Sequence, residues 1–437
     1  MSLRATLPWS RRNDLSSIAT IPSRLHLATS PSSSLAEAGK ETPPGTGRTL
    51  ASHTGSLRLA IAGGGTGGHL VPGLNLCRRT EQLDDVLWLT SGRKVEDRVL
   101  HGIDERLGQV SWERVVLALE PRGGGAPSRP GLLVRSAPAA LRARRALRAH
   151  GTQVLLGIGG FTCLPAVLAA RSLGIPVALL EMNATAGSAT RWLAPFARNI
   201  FHVWRGSVPP ASESSPARRP VHVHVGPPLA PEFDGREIPS AEAAGARAEL
   251  GFDPDRPLLL VLGGSQGASS LNQFVRAHAP ALVARGIQVL HQTGPAKLDE
   301  ACEPFSGYRA IEYVATMHRA LCAATLVLTR GGASTLAEIA ALGRAAIVVP
   351  YPHHSDRHQE RNAAELGDGV RVVAEDRLSL ALRDDIEQLC SPAGRPMRER
   401  MELGLRAVLP LDGAERLLGG LAALAGAADA STGGEQE

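Results

Sequence analysis

Short β-rich runs, mostly apolar, recur along the chain at residues 57–62, 86–90, 154–158 and 177–180, and again at 258–262, 288–292, 326–329 and 346–349. Such runs fit short strands buried on both faces of a sheet. Between them lie Ala-, Leu- and Arg-rich segments with helical spacing. Strands alternating with helices predict a parallel sheet covered on both sides, and the chain does this twice. The expected fold is therefore α/β, with two doubly wound Rossmann-like domains facing each other across a cleft. Ligands of such sheets sit beyond the carboxyl ends of the strands, so the loops there are the places to look for function.

Composition adjusts this picture at the ends and the middle. Residues 1–56 are rich in Ser, Pro, Thr and Arg with three acids, and read as a disordered extension. An organelle transit peptide is the competing reading, and the continuous apolar stretch of a secretory signal is lacking. Residues 427–437 read as a loose tail. Pro-, Ser- and Gly-rich stretches at 206–219 and 226–239 bracket a strand-like VHVHV. They place a domain seam there, giving one domain over 57–228 and another over 229–426.

With 437 residues, 43% apolar and 20% charged, the chain is globular, and no apolar stretch reaches the roughly 18–20 residues that span a bilayer. Five cysteines without a CxxC pair disfavour a zinc site or disulfide framework and suit a reducing compartment. The net charge of +5, carried by 44 Arg and 3 Lys, allows modest attraction to phosphate or an anionic membrane.

Four glycine-rich segments carry the candidate chemistry, each just after a predicted strand. GGGTGGH at 63–69 precedes a helix expected to begin near Pro72. Its glycines permit close approach to a ligand and the helix start offers free N–H groups to an anion. The spacing of Gly63, Gly65 and Gly68 also fits a dinucleotide fingerprint. No acid follows the second strand to hold an adenosine ribose, although Arg93 can serve a 2′-phosphate. His69 adds an imidazole that titrates near neutral pH, read either as a base or as a structural histidine. GIGGF at 157–161 is followed by Glu181-Met182-Asn183, where Asn183 suits sugar hydroxyls or an Asx turn before a helix over 186–196. GGSQG at 263–267 offers Ser265 and Gln266 to a phosphate or sugar, or simply caps a helix starting near Ser269.

RGGASTLAEIAALG at 330–343 is the most informative segment. The amides of Ala333, Ser334 and Thr335 open a helix where a pyrophosphate would meet oriented donors. Glu338, one turn on, can accept both hydroxyls of an attached ribose, or be an acid favoured by the helix dipole. Asp356, His358, Gln359 and Asn362 then crowd a short polar stretch suited to a hexose. His353, His354 and His358 lack the acid–His pattern of a metal site, so no metal is expected.

Taken together, GGGTGGH, GIGGF, Glu181-x-Asn183-x(3)-Gly187, GGSQGA, HQTG and RGGASTLAEIAALG resemble the MurG family, over about 57–424. These N-acetylglucosaminyltransferases convert lipid I to lipid II in peptidoglycan synthesis, on which cell-wall growth, shape and division depend. The resemblance implies a glycosyltransferase-B architecture and the partners UDP-N-acetylglucosamine, undecaprenyl-linked lipid I and the cytoplasmic membrane surface. It implies no nucleic acid partner and no cofactor. It implies that Thr66, Gly67 and Gly68 face the donor diphosphate and sugar, and that Asn183 touches the N-acetylglucosamine. Ser265 and Gln266 would hold the diphosphate, and the Val314 backbone would meet uracil. Ala333, Ser334, Thr335 and Leu336 would cradle phosphate, Glu338 would grip the ribose, and Gln359 would recognise sugar hydroxyls. His69 matches the family's proposed general base. Three departures stand out: Met182 in place of a Gln, Ala230 in place of an Arg, and a serine inserted before Asp356.

The implied chemistry is inverting transfer to the 4-hydroxyl of the N-acetylmuramoyl residue. Without a DxD-like acidic cluster for a divalent ion, helix amides would meet the leaving-group charge. A helix over 137–149, capped by Ser136 with Pro138 in its first turn, carries Arg142, Arg145 and Arg148 along one side and Ala139, Ala143 and Leu147 along another. That basic face is either solvated or the family's peripheral membrane patch.

Overall fold

The computed structural model describes residues 57–65, 67–79, 83–108, 110–119, 129–209, 220–354 and 356–432. The expectations for residues 1–56 and Thr66 lie outside these. The first half runs β1 (Leu57–Gly63), α1 (Gly67–Arg78), β2 (Leu83–Thr90), α2 (Lys94–Leu100), α3 (Ile103–Leu107), β3 (Ser111–Val116), α4 (Arg129–His150), β4 (Val154–Gly159), α5 (Cys163–Ser172), β5 (Val177–Glu181), α6 (Ser188–Leu193), β6 (Asn199–His202) and β7 (Val221–His224). The second continues with α7 (Ser240–Glu249), β8 (Leu258–Leu262), α8 (Ser269–Ala284), β9 (Gln288–Gln292), β10 (Tyr308–Ile311), α9 (Met317–Ala323), β11 (Leu326–Thr329), α10 (Ala333–Leu342), β12 (Ala346–Val348), α11 (His358–Ala364), β13 (Val370–Val372), α12 (Leu380–Cys390), α13 (Arg395–Arg406) and α14 (Gly413–Thr432).

Apolar runs such as LLLVL in β8 and VALLE in β5 are buried at every residue, which requires cover on both faces. The seven strands of the first sheet lie in the order β3-β2-β1-β4-β5-β6-β7 and the six of the second in the order β10-β9-β8-β11-β12-β13. All pairings between strands are parallel. In each sheet the chain winds one way from the central strand and then the other. This creates a crevice between β1 and β4 in the first sheet and between β8 and β11 in the second. All four glycine-rich segments follow these four strands, so the sheet topology gathers them at the two switch points.

Three local expectations change. α1 begins at Gly67 with Pro72 inside it, so His69 stands on the helix rather than before it. α4 begins at Arg129, and Ser136 is a buried interior residue instead of its cap. Pro130 sits at the start of α4, where its missing N–H costs nothing, and Pro138 lies in the helix interior. The helix expected over 186–196 is α6 followed by a 3₁₀ turn, Ala194–Phe196.

The C-terminus departs further. Loose chain was expected from 427, whereas α14 continues through Thr432. It also leaves the second sheet and packs against β4 and α1 of the first. Gly420 lies so close to Phe201 of β6 that a Cβ there would stand 2.6 Å from the ring. Composition cannot show this return, because the apolar face of α14 would suit either sheet.

Candidate active site

His69 occupies the first turn of α1, directly above the crevice between β1 and β4. Its Nδ1 lies 2.8 Å from the Gly64 carbonyl oxygen. A carbonyl only accepts, so Nδ1 carries the proton and Nε2 the lone pair. Burial holds the imidazole below its usual pKa, while the Gly64 hydrogen bond and the Glu181 charge pull it back up. A neutral ring with a basic Nε2 suits proton abstraction near pH 7. The glycines of GIGGF make room for it. A Cβ on Gly159 would stand 3.0 Å from His69 Cδ2 and 3.1 Å from Nε2, and one on Gly160 would collide with the Gly64 oxygen. Both have positive φ, 120° and 81°, which other residues rarely adopt.

Two carboxylates build this side of the cleft. Glu181, at the end of β5, is buried. It accepts from Asn183 N (2.9 Å), Asn183 Nδ2 (3.3 Å), Gly187 N (2.8 Å) and Thr190 Oγ1 (2.5 Å). The spacing Glu181-x-Asn183-x(3)-Gly187 is thus a loop folded around one acid. Glu96, in the first turn of α2, does the same for the β1–α1 and β2–α2 loops, accepting from Gly65 N (2.9 Å) and Gly92 N (2.7 Å) among others. Arg93 donates to Gly65 O at 3.2 Å, so its guanidinium serves the loop in this structure.

In the second half, α10 follows the Gly331-Gly332 turn, with Gly332 as its N-cap. Leu336 is fully buried and its N–H already donates to Gly332 O at 3.0 Å. The four-residue phosphate cradle therefore narrows to the amides of Ala333, Ser334 and Thr335. Ser265 is half-buried and Gln266 exposed on the loop after β8. That loop packs backbone to backbone on HQTG, where any Cβ on Gly267 or Gly294 would collide with the other strand of the contact. Gln292 fastens it, donating to Gly264 O (3.0 Å) and accepting from Val314 N (3.1 Å). The Val314 amide is thereby occupied, which leaves its carbonyl for a base. Gln359 Oε1 accepts from Gly331 N (3.1 Å) and Tyr351 N (2.9 Å), so its Nε2 is the end left to meet a ligand. Asp356 accepts from His358 Nδ1 at 2.8 Å. Among the described residues no group of three or more His, Cys, Asp or Glu side chains is placed to hold a metal ion.

Glu338 is different in kind. It is buried on α10, no hydrogen bond or ion pair reaches it from the described residues, and burial pushes its carboxyl up to about 8. It faces a narrow cavity of about 10 Å³ between the two halves, lined by Val71, Pro72 and Asn75 of α1, by Met182, and by Ser334. A buried carboxyl without a partner is costly unless something supplies donors.

The halves meet across this site. Asn362 of α11 is fully buried and accepts from Ala184 N (2.7 Å), while its Nδ2 donates to Asn183 Oδ1 (3.2 Å) and Gly331 O (3.0 Å). The connecting segment is held by α1 and the residue after it: Asn75 donates to Pro228 O (3.2 Å), and Arg79 donates to Leu229 O (3.2 Å), Ala230 O (3.3 Å) and Phe233 O (3.3 Å). An arginine thus does reach the segment where Ala230 replaces one, though it binds carbonyls. Glu96, Asn75, Gln292 and the bridging role of Asn362 escaped sequence reasoning; only Glu96, an acid in the first turn after Arg93, leaves a capping-type trace.

The chain matches the glycosyltransferase family 28 N-terminal domain over residues 59–202 and the family 28 C-terminal domain over 258–402. It is 35% identical over 368 residues to the UDP-N-acetylglucosamine–N-acetylmuramyl-(pentapeptide) pyrophosphoryl-undecaprenol N-acetylglucosamine transferase of Paenarthrobacter aurescens, covering 80% of this chain and 93% of the relative. To the enzyme of the same name from Acidothermus cellulolyticus it is 36% identical over 359 residues, covering 78% and 92%. The fold is similar to that of Acinetobacter baumannii MurG, with a TM-score of 0.59 at 21% identity over 84% of this chain and 99% of the other. It is also similar to a UDP-GlcNAc 2-epimerase from Neisseria meningitidis, with a TM-score of 0.56 at 13% identity over 83% and 98%. With paired sheets, four glycine loops at two switch points and these relatives, the chain belongs to glycosyltransferase family 28 and, within it, to the MurG family.

Proposed function

We propose that the protein transfers N-acetylglucosamine from UDP-N-acetylglucosamine to the 4-hydroxyl of the N-acetylmuramoyl residue of lipid I, forming lipid II. The observation that carries the donor assignment is Glu338, a buried carboxyl without a donor, one turn beyond three open amides. A ribose supplies two hydroxyl donors to that acid, and the attached diphosphate reaches the amides of Ala333, Ser334 and Thr335. Ser265 and Gln266 flank the diphosphate, the Val314 carbonyl meets uracil, and Asn183 and the Gln359 amide nitrogen meet the sugar. Ligand pockets commonly measure about 300–1,000 Å³. The cavity beside Glu338 has room for about one water, so donor entry requires α1 and α10 to part.

In the reaction, His69 Nε2 takes the proton of the acceptor hydroxyl as its oxygen attacks the anomeric carbon from the face opposite UDP. The carbon–oxygen bond to UDP breaks with its electron pair on the leaving diphosphate. The configuration inverts from α to β without a covalent enzyme intermediate. The negative charge that develops on UDP is met by the α10 amides and loop N–H groups.

The acceptor's isoprenoid places the reaction at the cytoplasmic face of the membrane, with peripheral attachment. No helix of the described residues is long and apolar enough to cross a membrane. Arg142, Arg145 and Arg148 are exposed along α4. Leu141 is 61% exposed beside them, and Leu168, Trp192 and Phe196 are exposed on the neighbouring elements. Apolar side chains among arginines suit an anionic headgroup layer. Reversing the three arginines to Glu should reduce sedimentation with anionic vesicles several-fold; unchanged sedimentation would remove them from this role.

Incubation of the protein with labelled UDP-N-acetylglucosamine and lipid I in detergent tests the proposal. Labelled lipid II is expected. Transfer to diacylglycerol instead, or nucleotide-sugar binding without transfer, would contradict it.

A further inference from the structure

We infer that Glu96 is a positioning residue for the His69 base, acting through the Gly64 carbonyl. This rests on the reading of His69 given above. Glu96 side-chain atoms are fully buried, and its two oxygens gather six donors from three segments. Oε1 accepts from Gly65 N (2.9 Å), Ser91 N (3.2 Å) and Ser91 Oγ (2.5 Å). Oε2 accepts from Gly92 N (2.7 Å), Arg93 N (3.2 Å) and the Arg114 guanidinium (3.2 Å). Capping α2 would need only the Arg93 amide. Of the other donors, Ser91 and Gly92 belong to the β2–α2 loop and Arg114 to β3, and Gly65 N ties the carboxylate to the loop that leads into His69.

Contact geometry transmits the restraint. Gly64 lies against Glu96 so closely that any Cβ there would collide with Oε1, and on its other side its carbonyl oxygen is pressed against Gly160. That carbonyl accepts the His69 Nδ1 proton at 2.8 Å. Gly64 is therefore wedged between the acid and the glycine pair that frames the ring. This wedging fixes both the tautomer and the direction of Nε2. The charge that acts on the ring is that of Glu181 of β5. A glutamine at 96 would present a donor where one oxygen accepts, so several loop N–H groups would lose their acceptor and the loop would shift. A displacement of about 1 Å at a catalytic group can cost about 10²-fold in rate.

The test uses the full chain with UDP-N-acetylglucosamine and lipid I. Glu96→Gln should lower kcat by about 10–100-fold, and Ser91→Ala, which removes one donor and keeps the fold if Glu96→Gln does not, by a few-fold. Because the Gly64 hydrogen bond raises the His69 pKa, the acid limb of the kcat/KM profile should move to lower pH in both variants. In a His69→Ala background, Glu96→Gln should add less than about twofold, since groups acting as one unit are not additive. Multiplicative losses with an unmoved acid limb would overturn the role of Glu96 alone and make it a general structural acid. Near-normal turnover by His69→Ala would overturn the base reading itself, and Glu96's role with it.

Discussion

Glu96 and Glu181 in the first half of the cleft and Glu338 in the second are all buried carboxylates, yet the fold treats them oppositely. Glu96 and Glu181 are saturated with backbone and side-chain donors, whereas no donor among the described residues reaches Glu338. The saturated acids organise loops: one sets the ground beneath His69, the other folds the Asn183 loop. The unsaturated acid is held at a cost by a fold that supplies it with nothing, which is the state expected of a group whose donors arrive with a ligand. Burial alone therefore does not separate the two kinds of acid; burial without partners does. On the proposed function, the first half holds the acids whose donors are already in place, and the second the acid whose donors come with the nucleotide.

The contrast can be broken at several points. The largest effect is expected at His69, where His69→Ala should lower kcat about 10²–10⁴-fold with nucleotide binding intact; near-normal turnover would empty the first half of its purpose. Glu181→Gln should destabilise the fold by about 2–3 kcal/mol, because donors that now share a charged acceptor lose it. Thermal or denaturant unfolding would reveal this, and an unchanged stability would mean the saturated acids are not scaffolding.

Glu338 should behave with the opposite sign. Its folded pKa of about 8 lies above the ordinary carboxyl value, so its protonated form contributes stability below about pH 4.5 that is lost as pH rises through about 8. The wild-type melting temperature should fall over that window by several degrees more than that of Glu338→Gln, which stays neutral throughout. Parallel curves would show that Glu338 is not strained by burial. The smallest change is Gly159→Ala. The strain of φ 120° in a non-glycine residue and the 3.0 Å approach to His69 should cost about 1–3 kcal/mol in stability. It should also reduce kcat with little change in KM for the donor.

Much of this arrangement is legible in the sequence. Strands over residues 258–262, 288–292 and 326–329 coincide with β8, β9 and β11; LLLVL of β8 and LVLT of β11 show the near-continuous apolar run of a strand buried on both faces. The glycine loops mark the switch points for the same local reason. What stays hidden is tertiary. Glu96 looks like an ordinary first-turn acid until Gly65 and Ser91 are brought to it, and Asn75 looks like a surface polar residue of α1 until Pro228 covers it. Leu336 fits the phosphate motif by position, but its N–H belongs to the helix already. The return of α14 to the first sheet depends on Phe201 meeting Gly420, more than two hundred residues apart.

The central claim is that Glu338 waits, buried and protonated, for the ribose of a uridine nucleotide sugar. Calorimetric titration of UDP-N-acetylglucosamine into wild type and Glu338→Gln at pH 6.5, in buffers of different ionisation enthalpy, tests it most directly. Wild type should bind with release of close to one proton, and Glu338→Gln should bind about 10–100-fold more weakly, through loss of hydrogen bonds to a charged acceptor, with no such release. Equal affinities and equal proton counts for the two proteins would contradict the account.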